Sequence, residues 1–445
     1  MRLRHSSGET VHLGYCTNVH PAEDLAGIRA QLDTYAVPVR EALDAELLGL
    51  GLWLAAPVAA ELAADASARR RLRADLTARG LEVVTLNGFP YAAFQAPVVK
   101  GDVYHPDWTT PQRLAYTLDL ARVLADLLPD DAARGSISTL PLAWRHPWDA
   151  ARADAARRRL DELAAGLADV ERDTGRRIRV AFEPEPGCVV ESTGQAAGLL
   201  SGVDTDRLGV CVDLAHLACA WEQPAEALAR LRAAGLPVVK VQVSAALEAP
   251  DPGGAADALR RWVEPRFLHQ TRAAGCAGGA DPADPAYAAD DLDAALDAEL
   301  PGPWRVHYHV PLHAPPEEPL RSTLPVLRAA LAALYEGPDA GCDHLDVETY
   351  TWGVLPEARR PRTDAELARG IAAELAFARA ELVALGLAPG DRRDGADAQA
   401  RGGVGRDDTA ARGGVGRDGT AAPGGVERDE SGTPRGGVER SEVPA

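Results

Sequence analysis

Three acidic residues in this sequence end or follow apolar runs of the kind that form buried strands. Glu183 ends the run RVAFE, Asp213 ends LGVCVD, and Glu348 follows LDV in the string LDVETY. An acid at the end of an apolar strand is costly to bury unless it is paired or binds a metal. These residues therefore predict a site that transfers protons or binds a divalent cation.

The neighbours of the first two acids extend this prediction. Glu185 has the same strand parity as Glu183, although the Pro and Gly that follow it are also typical of a solvated loop acid. His216 lies three residues after Asp213, so one could bind metal and the other could act on substrate. The structural alternative is that Asp213 caps a helix and His216 packs in the core.

The run VVKVQVSAALE shows the clearest alternation in the chain. Lys240, Gln242 and Ser244 lie on one face, and three valines lie on the other. Polar side chains that face a barrel interior need partners. Lys240 is also one of only two lysines among 47 basic residues. We therefore expect its ammonium group to be used in the site.

Histidines add a second type of ligand. The string WRVHYHVPLH places His307 and His309 on one face of a strand, although His307 could simply pack inside the barrel. Carboxylates together with imidazoles suit a divalent metal such as Mn, Mg, Zn or Fe. Asn18, His20 and Asn87 lie in polar, aromatic loops and could form substrate walls, with ordinary loop chemistry as the alternative.

These residues must be positioned by an alternation of apolar runs and helical segments. The candidate strands are 12–16, 48–54, 81–86, 136–140, 179–183, 208–213, 238–244, 305–310 and 345–350. Repeated strand and helix predicts parallel strands joined by crossovers. A (β/α)8 barrel fits better than a doubly wound sheet, because no Gly-rich turn follows the first strand. A barrel has eight strands, so one of the nine candidates is an insertion or is not a strand.

The C-terminal stretch has a different composition. RGGVGRDDTAA at 401–411 is repeated at once as RGGVGRDGTAA at 412–422. Each copy has one valine as its only large apolar residue and cannot form a core. We predict a barrel domain over residues 1–388 and a disordered Gly/Arg/Asp-rich tail over 389–445.

Charge and apolar content exclude several classes of protein. The net charge is −19, and residues 391–445 carry 11 acids and 9 bases, so −17 belongs to the remainder. Such an acidic body repels phosphate backbones and argues against nucleic-acid binding. No stretch of 18 uncharged apolar residues predicts insertion into a membrane. Six scattered cysteines without a CxxC pair, and a polar N-terminus, favour a cytoplasmic protein.

Several long strings resemble a known family. LGYCTNVHPAED, TLNGFPYAAF, VKVQVSAALE, VHYHVPLH and LDVETYTWGVLP, spread over about residues 9–357, resemble the EboE-type metabolite traffic proteins. That family belongs to the xylose-isomerase-like sugar phosphate isomerase/epimerase barrels. The resemblance implies traffic or processing of a small secondary-metabolite precursor. It also implies a membrane-protein partner encoded in the same gene cluster.

The barrel superfamily implies roles for individual residues. Its members hold a divalent metal, here Mn, Mg or Zn, and move a proton next to a carbonyl group. The metal ligands would be Glu183, Asp213, His309 and Glu348. The catalytic residues would be Glu183, Glu348, His216 and Lys240, the last two at substrate oxygens. The substrate-binding residues would be Asn18, His20, Asn87, Glu185, Gln242 and His307.

Gln242 departs from the superfamily pattern, which has a metal-binding histidine on the seventh strand. An amide is a poorer ligand than an imidazole. Gln242 could bind metal weakly, His309 could replace the missing histidine, or the site could hold no metal. The sequence therefore supports a metal-assisted isomerase, epimerase or lyase and, as an alternative, a non-catalytic carrier or adaptor. A barrel endonuclease acting on damaged DNA is disfavoured by the acidic charge.

Overall fold

A closed barrel of eight parallel strands forms the body of the protein. The computed structural model describes residues 1–276, 284–298 and 300–390. In chain order the barrel strands are β1 Thr10–Cys16, β2 Leu48–Trp53, β3 Leu81–Asn87, β4 Gly135–Thr139, β5 Ile178–Phe182, β6 Leu208–Asp213, β7 Val238–Val243 and β8 His344–Val347. Each strand pairs with the next, and β8 pairs with β1 to close the barrel. The predicted (β/α)8 barrel is confirmed.

Helices follow the strands and cover the outside of the barrel. They span Leu25–Gln31, Val37–Ala42, Ala56–Ala64, Ala66–Ala78, Pro111–Leu127, Ala150–Thr174, Thr193–Leu199, Leu214–Cys219, Pro224–Ala233, Ala256–Arg260, Leu292–Asp297, Leu324–Tyr335 and Asp364–Ala384. The segment between β2 and β3 forms two helices that are separated at Asp65. Asp65 adopts an extended conformation there and its side chain caps a second helix, accepting from the amides of Ser67 and Ala68.

The long segment after β7 forms a second, antiparallel sheet. Its strands are Leu247–Ala249, Thr271–Ala273, Ala288–Ala289, Trp304–Val306 and Arg321–Ser322. Of the nine strand candidates, 305–310 is therefore the one that is not a barrel strand. Only Trp304–Val306 is a strand, and it pairs with Leu247–Ala249 and Thr271–Ala273. His307 and His309 follow its end.

A short antiparallel strand is added beside the N-terminal end of β1. Arg2–Arg4 pairs with β1 and also with Ala388–Pro389. The predicted disordered tail falls, beyond residue 390, outside the described residues. Within the described part of the chain, no helix is long and apolar enough to cross a membrane.

Candidate active site at the C-terminal end of the barrel

The three acids singled out by their spacing converge at the C-terminal end of the barrel. Glu183 follows β5, Asp213 ends β6 and Glu348 follows β8, and all three are buried. Ligand atoms of Asp213, His309 and Glu348 lie within 4.8 Å of one another, and so do those of Glu183, Asp213 and His216. The shared member, Asp213, joins the two groups into one cluster.

Asp213 acts both as a helix cap and as a site residue. Its Oδ1 accepts hydrogen bonds from the His216 amide at 2.9 Å and from the Ser244 hydroxyl at 2.8 Å. Its Oδ2 is buried and has no hydrogen-bond partner among the described residues. The cap and the serine fix the carboxylate, so that Oδ2 is held ready for a ligand.

Glu348 is oriented by two amides. Its Oε1 accepts from Nδ2 of Asn18 and from Nδ2 of Asn87, each at 2.8 Å. Both asparagines line the cavity described below, and Asn18 keeps a second N–H group and an Oδ1 that has no partner among the described residues. Burial, with the nearby Asp213 carboxylate, raises the pKa of Glu348 to about 8.

Glu183 lies near two other carboxyl groups, those of Glu348 and Asp213. Its Oε2 is buried and contacts no hydrogen-bond donor in the described part of the chain. Burial, followed by repulsion from Glu348 and Asp213, raises its pKa well above the ordinary value. A cation at this point would remove that repulsion and favour the ionised carboxylates.

His309 presents one ring nitrogen to the same cluster. Its Nδ1 lies 2.6 Å from the backbone carbonyl oxygen of Glu348. A carbonyl oxygen only accepts, so Nδ1 carries the hydrogen and Nε2 has a free lone pair. That Nε2 is buried, lies 3.8 Å from Asp213 Oδ2, and has no hydrogen-bond partner within the described ranges. Metal-binding histidines typically have this arrangement.

A chain of polar contacts runs along one wall of the site. Tyr104 donates to Glu185 at 2.7 Å, and the amide of Gln270 donates to the Tyr104 oxygen at 2.7 Å. Oε1 of Gln270 lies 2.8 Å from Nδ1 of His307. Nε2 of His307 in turn lies 2.9 Å from Nε2 of His216. Burial raises the pKa of Glu185 to about 8 and lowers that of His216 to about 4.

Lys240 does not line the cavity described below, and its contact with substrate stays a prediction. It lies deeper in the barrel, fully buried, with Nζ 3.0 Å from Asp346 Oδ2. Burial alone would lower the pKa of Lys240, but the Asp346 carboxylate raises it above the ordinary value. The lysine therefore supplies positive charge beneath the acids.

Gln242 lies two residues beyond Lys240 on β7, where it pairs in register with Asp213 on one side and Asp346 on the other. Its side chain is fully buried and does not line the cavity, and its contact with substrate stays a prediction. Neither amide atom has a hydrogen-bond partner among the residues described. Of the readings left open for a metal ligand, His309 is the one that has its donor atom in the cluster.

His20 is also outside the cluster. It stacks on Tyr35 with ring centroids 4.1 Å apart, and its Nε2 lies 3.1 Å from the hydroxyl of Tyr15. It lines a separate small cavity rather than the one that holds the acids. His20 therefore packs between Tyr15 of β1 and Tyr35, and its contact with substrate stays a prediction.

A cavity of about 50 Å³ lies above the acids. Its floor is polar and its walls are largely aromatic. It is lined by Asn18, Asn87, Phe89, Pro90, Phe94, Lys100, Val103, Tyr104, Glu183, Glu185, His216, Phe267, Leu268, His307, Glu348 and Tyr350. Phe94, Phe267 and Tyr350 contact one another, with ring centroids 4.9–5.3 Å apart.

Several lining residues were not predicted from the sequence. Tyr104 and Tyr350 contact acids or histidines of the site, and Gln270 fixes both Tyr104 and His307. Lys100, the other lysine, joins the cavity wall to the inserted sheet by an ion pair with Asp291. The rarity of lysine was a usable signal for Lys100, whereas Gln270 is brought to the site only by the second sheet.

The fold and the site define a class: a parallel (β/α)8 barrel with buried carboxylates and histidines at the ends of its strands. Residues 39–275, more than half of the chain, match the family described as the xylose isomerase-like TIM barrel. The chain belongs to that family, which confirms the broader part of the resemblance. A comparison with curated proteins found no match.

Solved structures give weaker likenesses. D-psicose 3-epimerase from Clostridium cellulolyticum H10, solved with D-tagatose, is 13% identical, with 83% of this chain and 99% of that chain covered and a TM-score of 0.47. A xylose isomerase-like barrel protein from Mycobacterium smegmatis, in complex with magnesium, is 15% identical, with 84% and 98% covered and a TM-score of 0.46. A probable 3-DHS dehydratase from Bacillus anthracis is 12% identical, with 83% and 98% covered and a TM-score of 0.43. No substrate or metal is carried over from these proteins.

Proposed function

We propose that the protein is a metal-assisted isomerase, epimerase or lyase that acts on a small polyol or sugar-like metabolite. One observation carries the proposal: three buried acceptor atoms, Glu183 Oε2, Asp213 Oδ2 and His309 Nε2, have no partner within the described part of the chain. Buried polar atoms are nearly always satisfied, so three in one cluster call for a ligand. A divalent cation fits three acceptors better than any donor group would.

The donor set favours Mn, Mg or Zn. Glu183, Asp213 and Glu348 supply carboxylate oxygens, and His309 supplies an imidazole nitrogen. His309 takes the role that a histidine on the seventh strand would have, and Gln242, which is level with Asp213, is not needed as a ligand. When bound, such a cation polarises a carbonyl oxygen of the substrate.

Two carboxyl groups are placed for proton transfer. Glu183 and Glu348 both line the cavity, and each has one oxygen that faces it or the cluster. Burial raises the pKa of both groups, which makes each ionised carboxylate a stronger base for removal and return of a proton next to a carbonyl. Asn18 and Asn87 hold Glu348 by one oxygen and leave the other for the substrate.

The cavity limits the size of the substrate. Its polar floor can bind hydroxyl and carbonyl oxygens through His216 and the acids, and its aromatic walls pack against the C–H faces of a polyol. A cavity of about 50 Å³ must widen to admit such a compound. The loop that carries Lys100 is the wall that meets the inserted sheet, so it is the part that we expect to move.

The proposal is tested with the full-length protein by metal analysis and by isotope exchange. Purified protein is stripped with a chelator and titrated with Mn, Mg and Zn by calorimetry, and then incubated in D2O with a panel of ketoses. We expect tight binding of at least one metal and incorporation of deuterium next to the carbonyl in one or more sugars. Glu348→Gln should lower exchange by about 10²–10⁴-fold. Protein that binds none of the three metals would overturn the proposal.

Glu374→Gln is the matched control. Glu374 is equally buried but does not line the cavity, since it accepts from the Leu312 amide, the Thr349 hydroxyl and the Trp352 indole. The variant should bind metal as the unchanged protein does. Equal loss of metal in the Glu348 and Glu374 variants would indicate general destabilisation rather than loss of a ligand.

A second candidate is a carrier of the EboE type. The observation that favours it is Gln242, an amide where the superfamily has a metal-binding histidine. Such a protein would hold a secondary-metabolite precursor and pass it to a membrane-protein partner encoded in the same gene cluster. Incubation with cell extract, followed by mass spectrometry of the released compounds, separates the two functions. Recovery of an unchanged ligand supports the carrier, and recovery of a converted product supports the enzyme.

A further inference from the structure

The buried atoms that lack a hydrogen-bond partner at the cavity are acceptors. Asn18 Nδ2 donates to Glu348 Oε1 at 2.8 Å, which fixes Oδ1 of the same amide as an acceptor. That Oδ1 and Glu183 Oε2 have no hydrogen-bond partner in the described part of the chain. Among the described side chains that line the cavity, no buried donor atom lacks a partner. The cavity therefore suits a ligand that is rich in donors.

The negative charge around the cavity exceeds what one metal ion offsets. Four buried carboxyl groups surround the site, those of Glu183, Glu185, Asp213 and Glu348. One divalent cation offsets two of the four negative charges that these groups carry when ionised. The other two charges call for a further cationic group.

The lysines of the chain do not supply that positive charge. Lys100 is the one lysine or arginine among the described residues that line the cavity, and its Nζ pairs with Asp291. Lys240, beneath the acids, pairs with Asp346 at 3.0 Å. Both ammonium groups thus already have a carboxylate partner. The cavity therefore favours a ligand with positive charge and repels a phosphate or a carboxylate.

Glu185 is the carboxyl group of the cavity that lies outside the metal cluster. It lines the cavity, but none of the groups of converging ligand atoms includes it. Its Oε1 accepts from the Tyr104 hydroxyl at 2.7 Å. His307 Nδ1 is 3.7 Å from the same oxygen and bonds to Gln270 Oε1 instead. No lysine or arginine of the described residues pairs with Glu185, so this carboxylate has no cation of its own.

Aromatic rings lie next to this carboxylate. Tyr104, which donates to it, packs against Phe89 and Trp144 with ring centroids 6.2 Å and 4.7 Å away. Tyr350 lines the same cavity. A carboxylate beside aromatic rings can recognise an ammonium group, because the faces of the rings carry negative charge. An ammonium group also has donors and no acceptor, so it matches the unpartnered acceptors of the cavity.

We propose that the Glu185 side of the cavity is a subsite for a protonated amine, and that the substrate is an amine-bearing polyol or sugar-like compound without a phosphate or carboxylate group. Glu185 pairs with the ammonium group, Asn18 Oδ1 accepts from a hydroxyl group, and the aromatic wall packs against the carbon skeleton. The inference rests on the proposed function for the class of carbon skeleton, whereas the preference for an amine requires no metal.

The test compares matched compounds on the full-length protein by calorimetry at pH 7. Glucosamine, galactosamine, mannosamine and 1-amino-1-deoxyfructose are each titrated beside the parent sugar, which has a hydroxyl group in place of the amine. The N-acetyl derivatives of the first three keep the nitrogen without its charge, and the 6-phosphates of the parent sugars add negative charge. We expect at least one amine to bind about tenfold more tightly than its parent. The phosphates should bind more weakly than the parents.

Glu185→Gln should remove the preference for the amine. Its amide oxygen can still accept from Tyr104, but the side chain carries no charge, so the amine should bind no more tightly than the parent sugar. Glu374→Gln, equally buried but away from the cavity, is the matched control and should keep the preference. Circular dichroism shows which variants are folded. A preference that persists in folded Glu185→Gln overturns the subsite.

The comparison on the unchanged protein keeps the test independent of the variants. Equal binding of amine and parent, tightest binding of a phosphate, or no binding of any compound overturns the amine subsite. The titrations use chelator-treated and metal-loaded protein, so that the two proposals fail separately. A preference for the amine in protein that binds no metal supports the subsite and rejects the metal-assisted reaction. Metal binding with deuterium exchange in neutral sugars, without a preference for the amine, supports the reaction and rejects the subsite.

Discussion

The backbone carbonyl oxygen of Glu348 accepts a hydrogen bond from Nδ1 of His309 at 2.6 Å. The contact joins the end of β8 to the segment that follows the inserted sheet, and it sets which nitrogen of the histidine faces the acids. A residue supplied by an insertion is thereby held in register with the carboxylates of the barrel.

Replacement of this histidine should weaken metal binding more than it weakens the fold. In His309→Gln the amide can still donate to the Glu348 carbonyl, but the Nε2 ligand is lost. We expect the dissociation constant for Zn²⁺ to rise by at least about tenfold, measured by calorimetry on chelator-treated protein. An unchanged dissociation constant would show that His309 is not a ligand.

The ion pair beneath the acids should contribute strongly to stability. Lys240→Met leaves the buried carboxylate of Asp346 without its cation, and we expect a loss of about 3–5 kcal/mol in the free energy of unfolding. The double variant Lys240→Met/Asp346→Asn removes the unpaired charge and should recover part of that loss. Urea unfolding measures this free energy for the unchanged protein, the single variant and the double variant.

The other lysine provides the control for that experiment. Lys100 pairs with Asp291 at the cavity wall, where its side chain is 30% exposed. Lys100→Met should therefore cost less than about 1 kcal/mol. Equal losses in the two methionine variants would contradict the assignment of Lys240 to a buried pair.

Gly51 makes room for the carboxylate of Asp346. A β-carbon at position 51 of β2 would overlap both the carboxylate carbon and its oxygens. Gly51→Ala should therefore displace Asp346 from Lys240 and destabilise the protein by about 1–3 kcal/mol.

Gly198 provides the matched substitution, because a β-carbon there meets no described atom within 4 Å. It lies in the helix Thr193–Leu199, so Gly198→Ala should stabilise the protein by up to about 1 kcal/mol. Thermal or urea unfolding compares the two variants. Equal effects of the two substitutions would contradict the close approach at Gly51.

The barrel could be predicted from the sequence because its strands are marked by apolar runs at regular intervals. The acids at positions 183, 213 and 348 end three of those runs, so strand parity alone brought them to one end of the barrel. Parity also placed Lys240 and Gln242 inside, but it gives no depth along the barrel axis. The structure shows that Lys240 lies beneath the acids, where it contacts Asp346, and that Gln242 lies two residues further along β7, level with Asp213.

The insertion after β7 was the least predictable part. Its strands are two or three residues long, and short strands carry little periodicity. The sequence therefore predicts one strand over 305–310, whereas the structure has only Trp304–Val306. Gln270, which orients His307, reaches the site only through the pairing of these short strands. Non-local contacts of this kind leave no pattern in the local sequence.

The buried carboxyl group of Glu374 should make stability depend on pH. Burial raises the pKa of Glu374 to about 7, above the value of about 4.3 that a solvated glutamate has. Between these two values the folded protein keeps a proton that the unfolded chain has released, so stability falls as pH rises through this window. Its contribution to that fall is roughly 3–4 kcal/mol.

Glu374→Gln cannot titrate and should remove this part of the pH dependence. We expect the difference in the free energy of unfolding, taken as the variant minus the unchanged protein, to increase from pH 4.5 to pH 8. This holds whatever the value of that difference is at low pH. Urea unfolding of chelator-treated protein at several pH values measures it. Glu226→Gln, at an exposed position, should leave the pH dependence as it is, because that side chain is solvated in both states. A constant difference between Glu374→Gln and the unchanged protein across this range would show that Glu374 is ionised in the fold throughout.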